Sequence, residues 1–118
     1  MNFESTGGII MDAQEQQLTD QEILDAIKTG KKMLFFTAGW CPDCAFIKPV
    51  MPEIEAEYDQ YDWITVDRDA NIKIAQKFGV MGIPSFIALE DGDEIGRFVN
   101  GDRKTRQEVE AFVDGIGK

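Results

Sequence analysis

The chain is predicted to fold as one α/β domain, a mixed β-sheet of four to five strands with helices on both faces. Apolar runs of strand length, Lys32 to Thr37, Trp63 to Asp67 and Ser85 to Leu89, alternate with segments of helical periodicity. Asp91-Gly92 after the third run is a hairpin signal, so Glu94 to Val99 is expected to pair back antiparallel. A βαβ unit followed by a hairpin and a helix covers both faces of one sheet. The length of 118 residues suffices for one core, and 43% hydrophobic residues, with eight Phe and two Trp, supply it.

Residues 1–15 are expected to be a flexible N-terminal extension and 16–118 the domain. The first ten residues, ending in Gly7-Gly8-Ile9-Ile10, are weakly patterned, and Met11 is a second candidate start. A short edge strand is expected over Gln16 to Leu18. Thr19-Asp20-Gln21-Glu22 has capping-box spacing, with Ile23, Leu24 and Ile27 following at helical spacing and Gly30 as the stop. Lys32 to Thr37 reads as a strand buried on both faces. Pro42 to Tyr58 reads as one long helix, with Val50, Ile54 and Tyr58 on one face and a kink at Pro49. Asp69 is expected to cap a helix carrying Ile74, Ala75 and Phe78 and ended by Gly79. Thr105-Arg106-Gln107-Glu108 is a second capping box, and Val109, Phe112, Val113 and Ile116 form the apolar stripe of a last helix.

The charge excludes some partners. There are 22 acidic against 12 basic residues, a formal net charge of −10. Nucleic acid and anionic membrane both select basic surfaces, so neither is an expected partner. No apolar stretch approaches the roughly 18 residues of a spanning helix. Met1-Asn2-Phe3-Glu4 lacks the basic start and apolar run of a secretory signal. A cytoplasmic location is therefore expected, and in a reducing compartment a cysteine pair is catalytic more often than structural.

Both cysteines of the chain lie in Trp40-Cys41-Pro42-Asp43-Cys44, at a strand-to-helix junction. A Cys-x-x-Cys there reads as a thiol–disulfide redox motif, since the sulfurs can close a small ring and the helix start favours a thiolate. Pro42 would be the first helical residue, where its missing N–H costs nothing. Cys41 is assigned as the attacking thiol. Cys44, one turn in, is assigned as the resolving thiol that displaces product from the mixed disulfide. Zinc is disfavoured, because the chain has no histidine and no further cysteine. A purely structural disulfide is disfavoured because so short a ring gains little from loop closure.

Together with Pro49, Gly82-Ile83-Pro84 and Asp91-Gly92, this motif resembles that of the thioredoxin family, over about Gln16 to Ile116. A eukaryotic thioredoxin-related family shares Trp-Cys-Pro-Asp-Cys, but the rest of the chain is more similar to a compact bacterial thioredoxin. The resemblance implies a thioredoxin-like fold and a protein-disulfide reductase with no cofactor beyond its own cysteine pair and an external reductant. It implies a monomer whose partners are disulfide-containing proteins and thioredoxin reductase. It also implies a cis Pro84 beside the cysteines and an Ile83 backbone that binds an extended substrate segment. Trp40 and Pro42 would belong to the docking surface. Two other functions stay open: a glutathione-linked, glutaredoxin-like reductase, and a redox-inert binding module on the same scaffold.

The chain departs from the family at several positions. The motif is Cys-Pro-Asp-Cys, not Cys-Gly-Pro-Cys. Phe35 stands where a family member has a buried Asp, and that Asp's usual lysine partner falls near Thr65 or Val66. Asn100-Gly101 offers the family's glycine one place late. Asp43 is the only carboxylate within the motif. It is a candidate catalytic residue, assisting proton transfer at Cys44. The alternative is a solvated carboxylate favoured by the helix dipole.

Overall fold

The computed structural model describes residues 18–116. The N-terminal extension over 1–15, and Gln16 and Gln17 of the expected edge strand, lie outside the described residues; Leu18 is in no strand. The elements are α1 (Asp20–Ala26), β1 (Lys31–Thr37), α2 (Pro42–Ile47), a 3₁₀ turn (Lys48–Val50), α3 (Met51–Glu57), β2 (Asp62–Asp67), α4 (Ile72–Lys77), β3 (Ser85–Glu90), β4 (Asp93–Phe98) and α5 (Arg106–Gly115).

The four strands form one mixed sheet in the order β2-β1-β3-β4. β1 runs parallel to β2, and β3 is antiparallel to both β1 and β4. The central strand β1 explains the two-faced burial its sequence predicts. Leu34 and Phe36 point into a core with Ile23, Ile27, Val66, Ile74, Ile87 and Leu89, under α1 and α4. Met33 and Phe35 point the other way, into a core with Met51, Ile54, Phe86, Val109 and Val113, under α3 and α5. A period of two with both faces covered gives a continuous apolar run.

Both predicted capping boxes form. Thr19 accepts from the Glu22 N–H while Glu22 reaches back to the Thr19 N–H, and Thr105 with Glu108 does the same. The hairpin turn has Asp91 at φ 50° and Gly92 at φ 88°, the paired left-handed conformations that Asp-Gly favours.

Two expectations are corrected. The long helix Pro42 to Tyr58 is interrupted by the 3₁₀ turn, not merely kinked. Pro49 and Pro52 each lack an N–H and push against the carbonyl four residues back, so a whole turn of α-helical bonding is lost. Asp69 does not cap α4. That helix starts at Ile72 with Asn71 as its N-terminal flanking residue. It is the Asp67 carboxylate that accepts from the Asp69 and Ala70 N–H groups in the preceding turn, and Asp69 is used elsewhere.

Candidate active site

The site is assembled where β1 ends. Cys41 is the N-cap of α2, in extended conformation, with Pro42 in the first turn as predicted. Its Sγ accepts the Cys44 N–H at 3.2 Å, doing for an orphan helix donor what a capping oxygen does. Both cysteines are free thiols. Their surroundings differ: Cys41 retains 6% exposure and Cys44 none. Burial, then the hydrogen bond to Cys41, push the Cys44 thiol up from 9.0 to about 11. The Ala38 backbone and the Thr37 hydroxyl act in the opposite sense. Among the described residues that buried hydroxyl has no other hydrogen-bond partner.

This shift carries a stability prediction. Above pH about 9 the unfolded Cys44 loses its proton, while the folded thiol keeps it up to about 11. Unfolding then releases a proton, so stability falls as pH rises through that window. Urea unfolding from pH about 8 to about 11 is expected to show a steeper alkaline loss for the wild type than for Cys44→Ser. Tyr58, pushed up to about 12, and Tyr61, also raised, add the same slope to both proteins. Equal slopes would refute the assignment.

The structure brings the separated candidate residues together. The Ile83–Pro84 bond is cis. The Ile83 carbonyl oxygen lies 4.0 Å from Cys41 Sγ, with Ile83 and Pro84 both buried. Trp40 is 60% exposed beside Cys41, and its Nε1–H donates to Asp69 at 2.6 Å, which fixes the indole. Met81, from the segment leading to Ile83, is 84% exposed and adds apolar surface that sequence patterning did not single out.

Asp43 is held from outside the motif. Its Oδ1 accepts from Arg103 Nε at 3.0 Å, and the same guanidinium stacks 4.4 Å over the Phe46 ring. Phe35 is buried and stacks on Phe86 at 5.1 Å, with Thr65 as its partner on β2. Neither Phe35 nor the two candidate places of the lysine, Thr65 and Val66, carries a charge. The next residue along from Arg103, Lys104, is the one buried charged side chain among the described residues. Burial lowers its pKa, and Asp102, Glu108, Cys44 and Asp43 pull it back up. Among the described residues no three His, Cys, Asp or Glu side chains converge as metal ligands would.

A family model described as Thioredoxin matches residues 14–115. The chain belongs to the thioredoxin family. The thioredoxin of Staphylococcus haemolyticus is 37% identical over 84 residues, covering 70% of this chain and 81% of the relative. That of Staphylococcus aureus is 33% identical over the same length. Mitochondrial thioredoxin 3 of Saccharomyces cerevisiae superposes with a TM-score of 0.70 at 25% identity, covering 84% of this chain and 93% of that one. A Nicotiana alata thioredoxin superposes at 0.69 with 28% identity, covering 83% and 84%. The chain is a thiol–disulfide oxidoreductase of the protein-disulfide reductase type. Among the described residues no helix is long and apolar enough to cross a membrane.

Proposed function

We propose that the chain reduces disulfides of cytoplasmic proteins by dithiol exchange, with Cys41 as nucleophile and Cys44 as resolving thiol. The observation that carries this is the asymmetry of the pair. Cys41 caps the helix at the rim, with the Cys44 N–H on its sulfur at 3.2 Å, while Cys44 is wholly buried. The Cys41 thiolate attacks one substrate sulfur, forming a mixed disulfide and expelling the other as a thiolate, which takes up a proton from water. Cys44 then loses its proton to solvent and attacks Cys41. The Cys41–substrate bond breaks, the Cys41–Cys44 bond forms, and the second substrate sulfur leaves and is protonated. The protein is left oxidised by two electrons and the substrate reduced by two. Its own cysteine pair is the redox group, and an external reductant returns it to the dithiol.

Substrate docking is assigned to the exposed Trp40 and the exposed Pro42, with the Ile83 backbone and Pro84 across from them. An extended segment pairing with Ile83, in the manner of strand addition, would bring its disulfide to Cys41. The protein works as a monomer, and thioredoxin reductase recycles it. Insulin reduction coupled to NADPH and thioredoxin reductase tests this reading. Turnover with that system and not with glutathione and glutathione reductase is the expected result. Turnover with glutathione alone would make it glutaredoxin-like, and none with either would make it a binding module.

The Arg103–Asp43 pair makes a prediction about redox poise. The couple is expected between roughly −220 and −280 mV. Asp43→Asn removes a negative charge two residues from Cys41 and is expected to make the protein more oxidising. Arg103→Gln removes the balancing cation and is expected to make it more reducing. Both ends are solvated, so each shift is expected to stay under about 30 mV. Redox titration against a glutathione buffer checks both signs, and shifts in the same direction would refute the charge-balance account.

A further inference from the structure

Lys104 has no role in the chemistry above, yet it is 1% exposed. A lysine that deep is rare unless its ammonium is fully hydrogen-bonded. Here Nζ donates to the Asn100 carbonyl at 3.3 Å, the Asn100 Oδ1 at 2.9 Å and the Asp102 carbonyl at 2.8 Å. The Phe98 ring lies 5.0 Å from the same nitrogen. All three acceptors belong to one short loop between β4 and α5, so the ammonium folds that loop around itself.

The loop leans on the segment that presents Ile83. Ser85 Oγ donates to the Gly82 carbonyl at 2.6 Å and lies 3.3 Å from the Asn100 carbonyl, so Lys104 and Ser85 share one acceptor. Gly82 and Gly101 pack backbone to backbone with no room for a Cβ on Gly82. Arg103, one residue before the lysine, reaches Asp43 in the Cys-x-x-Cys helix. One loop is thus joined to both halves of the site.

We propose that Lys104 is a positioning residue for protein substrates. Its ammonium clamps Asn100–Asp102 and so holds the Gly82–Ile83 backbone where an extended substrate segment pairs with it opposite Cys41. The inference rests on the reading of Ile83 as the substrate-receiving backbone. It separates two substrate classes. A polypeptide disulfide needs both Cys41 and the Ile83 backbone, whereas a small aryl disulfide such as dithionitrobenzoate needs only the sulfur.

The test is single-turnover reduction of insulin and of dithionitrobenzoate by the pre-reduced protein, for wild type, Lys104→Met and Asn100→Ala. For Lys104→Met the insulin rate constant is expected to fall about tenfold, and the dithionitrobenzoate rate to stay within about twofold. Asn100→Ala removes one of the three acceptors and keeps the backbone carbonyls, so it decides the matter if Lys104→Met does not fold. Its expected effect is the same selectivity at about threefold. Equal losses on both substrates, or no loss on insulin, would overturn the proposal. A wild type that reduces dithionitrobenzoate but not insulin would instead overturn the functional reading on which it rests.

Discussion

Cys41→Ser is expected to lower insulin reduction by at least about a thousandfold, because the one thiol left, Cys44, is wholly buried and out of reach of a substrate disulfide. Cys44→Ser is expected to keep the first attack and stop there, accumulating protein–substrate disulfides visible on non-reducing gels. The structural basis is that the Cys44 thiol is fully buried and pushed up to about 11, so at neutral pH it stays protonated until the mixed disulfide turns the neighbouring Cys41 sulfur into a target for attack. Alkylation of the reduced protein with limiting iodoacetamide checks the order. Cys41 is expected to be labelled first, and labelling of Cys44 ahead of it would reverse the assignment.

Gly82→Ala is expected to have the largest effect of any single added methyl near the site. Its Cβ would fall on the Gly101 nitrogen, 2.5 Å from the Asn100 carbonyl carbon and 2.7 Å from the Gly101 Cα. These are backbone atoms and cannot rotate away, so one of the two loops must move. Overpacking typically costs about 1 to 3 kcal/mol, and with rigid backbone on both sides the upper end is expected here. Either movement disturbs the contact that places Ile83, so insulin reduction is expected to fall with stability. Gly39→Ala is the control: nothing lies within 4 Å of its added Cβ, although it is one residue from Trp40. Its expected change is within about 0.5 kcal/mol. Urea unfolding of the two variants tests the contrast, and equal midpoints would show that the Gly82–Gly101 contact yields easily.

What could be read from the chain alone was what neighbouring residues decide among themselves. Cys41 at a helix start, Pro42 inside it, the capping boxes at Thr19 and Thr105, and the Asp91-Gly92 turn all depend on groups a few residues apart. β1 was legible because continuous apolar character demands cover on both sides, and the two cores supply it. Even locally, two prolines act together, Pro49 and Pro52, and the helix from Pro42 breaks where Pro49 alone predicts a kink.

The surroundings of the cysteines were settled only by the folded chain. Asp69, a plausible cap from its sequence position, serves Trp40 from 29 residues away. Asp43, the only carboxylate within the motif, is held by Arg103, 60 residues on. Lys104 sits among charged neighbours in the sequence, where no motif marks it, yet it is the most deeply buried charge in the described structure. A charged side chain carries no periodic signal of its own. Whether it meets water, a counter-ion or a ring of carbonyls depends on which loops the sheet brings together, and residue spacing holds no record of that.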